Sequence, residues 1–164
     1  MAFNIALEQP SNLPLLKEVT ESPEDYVSLV IEACSLLGET DCRFLVSGFG
    51  DSSWPVDVCY DLATVLEQLP DLLATLRVGE GGVLDFFGQG VERRLEFFSS
   101  ARQVEIRCRS GTAWKPDPAT EQSELDHLEV MFVRLAFDFS IALEKVSPTL
   151  ARTPPISAWQ HREV

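Results

Sequence analysis

Histidine is scarce: His127 and His161 are the only two among 164 residues. Nucleophilic catalysis needs a hydroxyl or thiol with a base held beside it. Neither histidine stands in a motif, so both read as surface residues and a nucleophile–histidine–acid triad has little material. The four cysteines, Cys34, Cys42, Cys59 and Cys108, form no C-x-x-C pair. With no closely spaced Cys or His ligands, the sequence implies no metal site and no cofactor. The Walker pattern is missing too. Gly79-Glu80-Gly81-Gly82 and Gly88-Gln89-Gly90 therefore read as turns that need positive φ, not as phosphate loops. No apolar run is long enough to span a bilayer, and Met1 to Glu8 lacks the basic and apolar regions of an export signal. The expectation is a cytoplasmic protein, away from the membrane, whose reduced cysteines serve as small hydrophobes.

Basic residues are few as well. There are 13 against 26 acids, for a net charge of −13. Such a field repels nucleic acid and anionic lipid and attracts basic partners. It also keeps a protein soluble without any partner. The hydrophobic fraction of 45% is that of an ordinary globular chain, so disorder is excluded for the body of the protein.

What is present reads as β-α-β-β-α-β-β-β-α. A short strand spans Phe3 to Leu7. Ser22 as N-cap and Pro23 at the first helical position start a helix that Gly38 ends. Cys42 to Ser47 and Trp54 to Cys59 read as strands. Asp61 caps a second helix, which Pro70 should kink or restart. Val83–Phe87, Val91–Phe98 and Gln103–Arg109 form an antiparallel meander with one buried and one wet face, Arg93 interrupting the buried side. After a loop from Gly111 to Thr120, capped by Thr120 or Ser123, a long apolar helix packs across the sheet. The class is α+β: a mostly antiparallel sheet with a C-terminal three-strand meander, covered by about three helices. Residues 1–147 form one domain, and 148–164, rich in proline, an extended tail.

Carboxylates are the one abundant chemical group. Asp57 and Asp61 flank Cys59 and Tyr60, and Asp85, Glu92, Glu96 and Glu105 fall in the meander. Paired acids can serve as general acid and base. Glu92, Glu96 and Glu105 alternate with Arg94, Arg107 and Arg109, however, so cross-strand ion pairs on a wet face account for them. The loop Gly48 to Trp54 places Phe49 and Trp54 among acids, where an aromatic anchor meets a partner or packs into the core edge.

Two stretches, Phe49 to Leu62 and Asp85 to Phe97, carry a W-x-V-x-x-x-x-D-L strand-to-helix junction and an F-x-x-Q-G-x-E-R strand pair. In these the chain resembles the immunity proteins of bacterial polymorphic toxin systems, which are small, often acidic cytosolic α+β proteins that bind and block a toxin. The resemblance implies a non-catalytic inhibitor whose partner is a cognate toxin, a nuclease or another basic domain. It transfers no contact residues. By position, the partner-binding candidates are Asp51, Trp54, Asp57, Asp85, Glu92 and Glu96. The alternatives are a secretion-system adaptor or chaperone with an apolar groove, a small carboxylate-based enzyme, and a homodimer paired through an exposed meander edge.

Overall fold

The computed structural model describes residues 2–164. Strand β1 (Asn4–Glu8) pairs antiparallel with β2 (Arg43–Ser47), Asn4 opposite Ser47 and Glu8 opposite Arg43. Ile5 and Leu7 alternate into the core, as do Phe44 and Val46. Between these strands lies α1 (Tyr26–Leu37). It starts three residues later than Ser22 and Pro23 suggest. Asp25 is its N-cap and accepts from the Ser28 N–H at 2.8 Å. The Ser22 hydroxyl is drawn instead to the Thr149 carbonyl and the Thr153 hydroxyl.

The strand expected over Trp54 to Cys59 does not form. Trp54 donates one backbone bond to Val46 in β2, and the chain then winds into a π-helical turn (Val58–Leu62) that runs on into α2 (Ala63–Arg77). Asp57, not Asp61, caps this segment: its Oδ1 accepts from the N–H groups of Tyr60 and Asp61 at 2.8 and 3.0 Å. That captured turn overrides a valine alternation only two residues long. α2 continues through Pro70 without a break.

The meander is four strands, not three: β3 (Gly82–Phe86), β4 (Arg93–Ser100), β5 (Gln103–Ser110) and β6 (Thr120–Glu124), each antiparallel to the next. Residues read as loop and helix cap thus form an edge strand. Its sequence, TEQSE, has no apolar alternation because little of it is buried. β3 is the other edge, and the side chain of Gln68 from α2 closes on it. Gln68 Nε2 donates to the Asp85 carbonyl at 2.8 Å, and Gln68 Oε1 accepts from the Asp85 N–H at 2.9 Å.

Helix α3 (Leu125–Val146) supplies Leu128, Phe132, Leu135 and Phe139 to the core, where Phe132 meets Phe97 of β4 and Phe3. The expected extended tail is folded. Residues 148–164 hold α4 (Pro148–Ala151) and α5 (Ile156–Trp159), with Leu150, Ile156 and Trp159 buried. Trp159 packs edge-on against Tyr26 and beside Phe139. Prolines there start and bend helices instead of extending the chain. The architecture is α+β, with two antiparallel sheets. Among the described residues no helix is long and apolar enough to cross a membrane.

Candidate functional site

Arg93 breaks the alternation of β4 because it is a buried cation. It is only 4% exposed and sits across the ladder from Phe86. Its guanidinium lies 3.6 Å from the ring centre of Trp114 and 4.5 Å from that of Trp54. Asp51 supplies the counter-charge, with Oδ2 2.9 Å from Nη1. This contact lies off the line of an N–H bond, so Nη1 and Nε are held by charge and ring faces, not by hydrogen bonds. Two loops thus meet at one side chain of β4.

The loop carrying Asp51 is tightly wound. Gly48, Phe49 and Gly50 all have positive φ, at 131°, 56° and 84°. Gly48 and Asp51 exchange both backbone hydrogen bonds, and Trp54 Nε1 donates to the Gly48 carbonyl at 3.2 Å. Glu121 of β6 accepts from the Phe49 N–H, and the Phe49 carbonyl accepts from the Asp117 N–H at 2.9 Å. A side chain at position 50 would place its Cβ 2.1 Å from the Asp117 carbonyl oxygen, so glycine is required.

Trp54, a partner-binding candidate by position that could equally pack into the core edge, is buried under Arg93 and against Phe86 at 5.1 Å between ring centres. It is thus the floor of the site and is closed to a partner. Asp51 is committed to Arg93, Asp85 to Arg94 at 3.1 Å, and Glu96 to Arg109. Hydrogen bonding and proximity to arginine hold the Glu96 carboxyl below the ordinary value, and the Arg107 guanidinium does the same for Glu105. An open cleft of ≈ 420 Å³ at this end of the sheet is lined by Asp85, Phe87, Glu92, Arg94 and Arg109. Of its charged groups only Glu92, in a left-handed turn at φ 44°, has no cation.

Asp57 and Asp61 come together as reciprocal caps. Asp61 Oδ2 accepts the Asp57 N–H at 2.9 Å, while Asp57 Oδ1 caps Tyr60 and Asp61. Asp61 is buried and its Oδ1 has no hydrogen-bond partner. Burial raises its carboxyl above the ordinary range, against the pull of the Asp57 N–H. A Cβ at Gly88 would stand 2.4 Å from that Oδ1, so Gly88 serves close approach, not positive φ; Gly79 and Gly90 do adopt positive φ.

Cys34, Cys42 and Cys108 are buried, and burial pushes the thiols of Cys42 and Cys108 up to about 11. Thiols so raised are poor nucleophiles. Among the described residues no three His, Cys, Asp or Glu side chains are gathered closely enough to hold a metal ion.

Charge is divided unevenly. Residues 10–80 carry thirteen acids and three bases, and residues 81–164 twelve and ten. In the first set, Asp51 alone among the described residues lies within salt-bridge distance of a base. In the meander Asp85, Glu96 and Glu105 are each answered by an arginine, while Glu32 and Glu39 around α1, Asp57 before the π-helical turn, and Glu67, Asp71 and Glu80 around α2 stand unanswered. Sequence reasoning saw Arg93 only as a break in the buried side of its strand, and missed both its role and this partition. The signal for Arg93 was its position on the apolar side of β4; the signal for the partition was the near absence of bases before residue 80. Comparison with protein-family models, with curated proteins and with solved structures found no match.

Proposed function

We propose that this chain is an immunity protein: a non-catalytic cytoplasmic inhibitor that docks over the basic substrate cleft of a toxin domain. The observation that carries the reading is the uncompensated acid of residues 10–80. Carboxylates paired with arginine have little field left for a partner. Unpaired ones on neighbouring helices add up, steer a basic partner and make its association fast and salt-sensitive. The contact surface accordingly moves away from Asp51, Trp54, Asp85 and Glu96. It keeps Asp57 and gains Glu39, Glu67, Asp71 and Glu80. Glu92 stays a separate candidate at the cleft.

The test compares tagged wild type with a variant carrying Gln at positions 39, 67, 71 and 80 and Asn at 57, in pull-downs from host lysate at low and moderate salt. The expected result is a basic partner retained by wild type, lost with salt and lost in the variant. Expression of that partner alone should arrest growth, and the wild-type chain should restore it. Equal retention by the variant, or a partner harmless when expressed alone, would overturn the reading.

A further inference from the structure

Large apolar side chains exposed on the helices and strands stand singly among the described residues, with one exception. Phe98 of β4 lies under Arg107, and Val130 is alone on α3. On α1, Val27 and Ile31 are 39% and 53% exposed. They are four residues apart, so they stand one above the other on a single face of the helix. Neither serves the core, which α1 reaches through Leu29, Val30, Ala33 and Leu37.

This pair lies among carboxylates that no base answers. Between Lys17 and Arg77 the only base is Arg43, which Glu8 holds. Glu32 follows Ile31 on α1. Glu67 and Asp71, also four residues apart, form an exposed stripe on α2. The two helices are joined next to these groups. Tyr26, the neighbour of Val27, donates to the carbonyl of Leu66, the neighbour of Glu67. The Tyr26 phenol is raised well above its ordinary value, by burial first and then by Cys34, Glu67 and Asp71, so both carboxylates stand close to α1.

The order around α1 places the pair between two sets of acids. Tyr26 points to α2. Val27 and Ile31 lie about 120° further round the helix, and Glu32 about 240°. An apolar strip is thus flanked by Glu67 and Asp71 on the α2 side and by Glu32 on the other. The carboxylates alone would accept any cation in any pose. The strip adds a short-range shape: two side chains at i and i+4 make a ridge, and such a ridge fits the groove of another helix.

We propose that this face of α1 docks a basic amphipathic helix of the partner. Apolar residues at i and i+4 of that helix cover Val27 and Ile31, and lysines or arginines on its flanks reach Glu32, Glu67 and Asp71. This rests on the acidic surface of the inhibitor reading and adds what holds a partner there. The carboxylates bring it in, and the apolar pair slows its release.

The test uses two labelled synthetic peptides of equal charge: a leucine–lysine peptide of about 18 residues with leucines at helical spacing, and an oligolysine without them. Wild type should bind the first about tenfold or more tightly than the second. Val27→Ser with Ile31→Ser should bring the two affinities together and leave that for oligolysine unchanged. Glu67→Gln with Asp71→Asn should weaken both. Val130→Ser, which removes an exposed apolar residue elsewhere, should change neither. Equal affinities in wild type overturn the proposal. So does an equal loss in the Val130→Ser control, which would mean unspecific apolar adsorption. No host protein enters this experiment, so its outcome is separate from that of growth rescue: a peptide that fails to bind removes the helix-docking face and leaves the inhibitor reading to its own test.

Discussion

The hydroxyl of Tyr26 donates to the backbone carbonyl of Leu66 at 2.5 Å. Leu66 is four residues before Pro70, which has no N–H to offer that carbonyl. A side chain of α1 thus supplies the bond that proline removes from α2. Tyr26→Phe leaves a part-buried carbonyl unsatisfied and should cost about 1–3 kcal/mol in urea unfolding. In a Pro70→Ala background the backbone at position 70 regains an N–H for that carbonyl, so the same substitution should cost clearly less. Equal costs in the two backgrounds would show that the hydroxyl does not serve the proline.

Arg93 should be the most sensitive polar residue. Arg93→Met leaves the Asp51 carboxylate facing two tryptophans without its counter-ion, at a cost of about 3–5 kcal/mol. Arg93→Lys keeps the charge but loses the flat stack, costing about 1–2 kcal/mol. Adding Asp51→Asn to Arg93→Met should recover part of the loss. Urea midpoints decide the order. A lysine variant as unstable as the methionine variant would locate the loss in the stack and not the charge.

Gln68→Ala should expose the β3 edge. Losing two bonds to Asp85 should cost about 1–3 kcal/mol, and amide hydrogen exchange at Asp85 should speed up. Unchanged protection there would mean that other groups guard the edge.

Asp61 gives a pH signature. Its folded carboxyl is raised, so the folded state binds that proton more tightly than the unfolded chain does. The resulting stabilisation is complete below the ordinary carboxylate value and disappears as pH rises through the raised one. Asp61→Asn keeps an oxygen for the Asp57 N–H and removes the buried charge. Its melting temperature relative to wild type should therefore rise from about pH 4 to about pH 7. A difference that stays constant across that range would exclude titration of Asp61 as the cause.

Removing the Trp159 ring should destabilise the whole fold. Trp159→Ala vacates a fully buried site against Tyr26 and Phe139 and should cost about 3–5 kcal/mol. A loss under about 1 kcal/mol would return residues 148–164 to the status of an appendage.

Elements with long apolar periods were legible in the sequence: α1, α3 and the β4–β5 hairpin show them over several turns or pairs. β6 was not legible, because an edge strand with both faces half wet carries no hydrophobic alternation. The π-helical turn was hidden because two valines flanking Asp57 imitate a strand, while the deciding interaction is a side-chain cap. The terminal helices were hidden by their prolines, and what holds them is Trp159 packing on residues more than a hundred positions away in one case and twenty in the other. At the site, sequence reading found Asp51, Trp54 and Arg93 as separate oddities. Only the fold shows that they are one structure, and that three of the expected contact acids already hold arginines.

The division of charge makes the molecule an electric dipole as well as an anion. A net charge only draws a basic partner closer; a dipole also turns the protein while the two are still separated by solvent. The α1–α2 side would lead in such an encounter, and the arginine-laced meander would trail. The same torque would act at any positively charged surface. On an anion-exchange matrix or a cationic electrode, this protein should adsorb in one preferred orientation, with its α1–α2 side towards the surface.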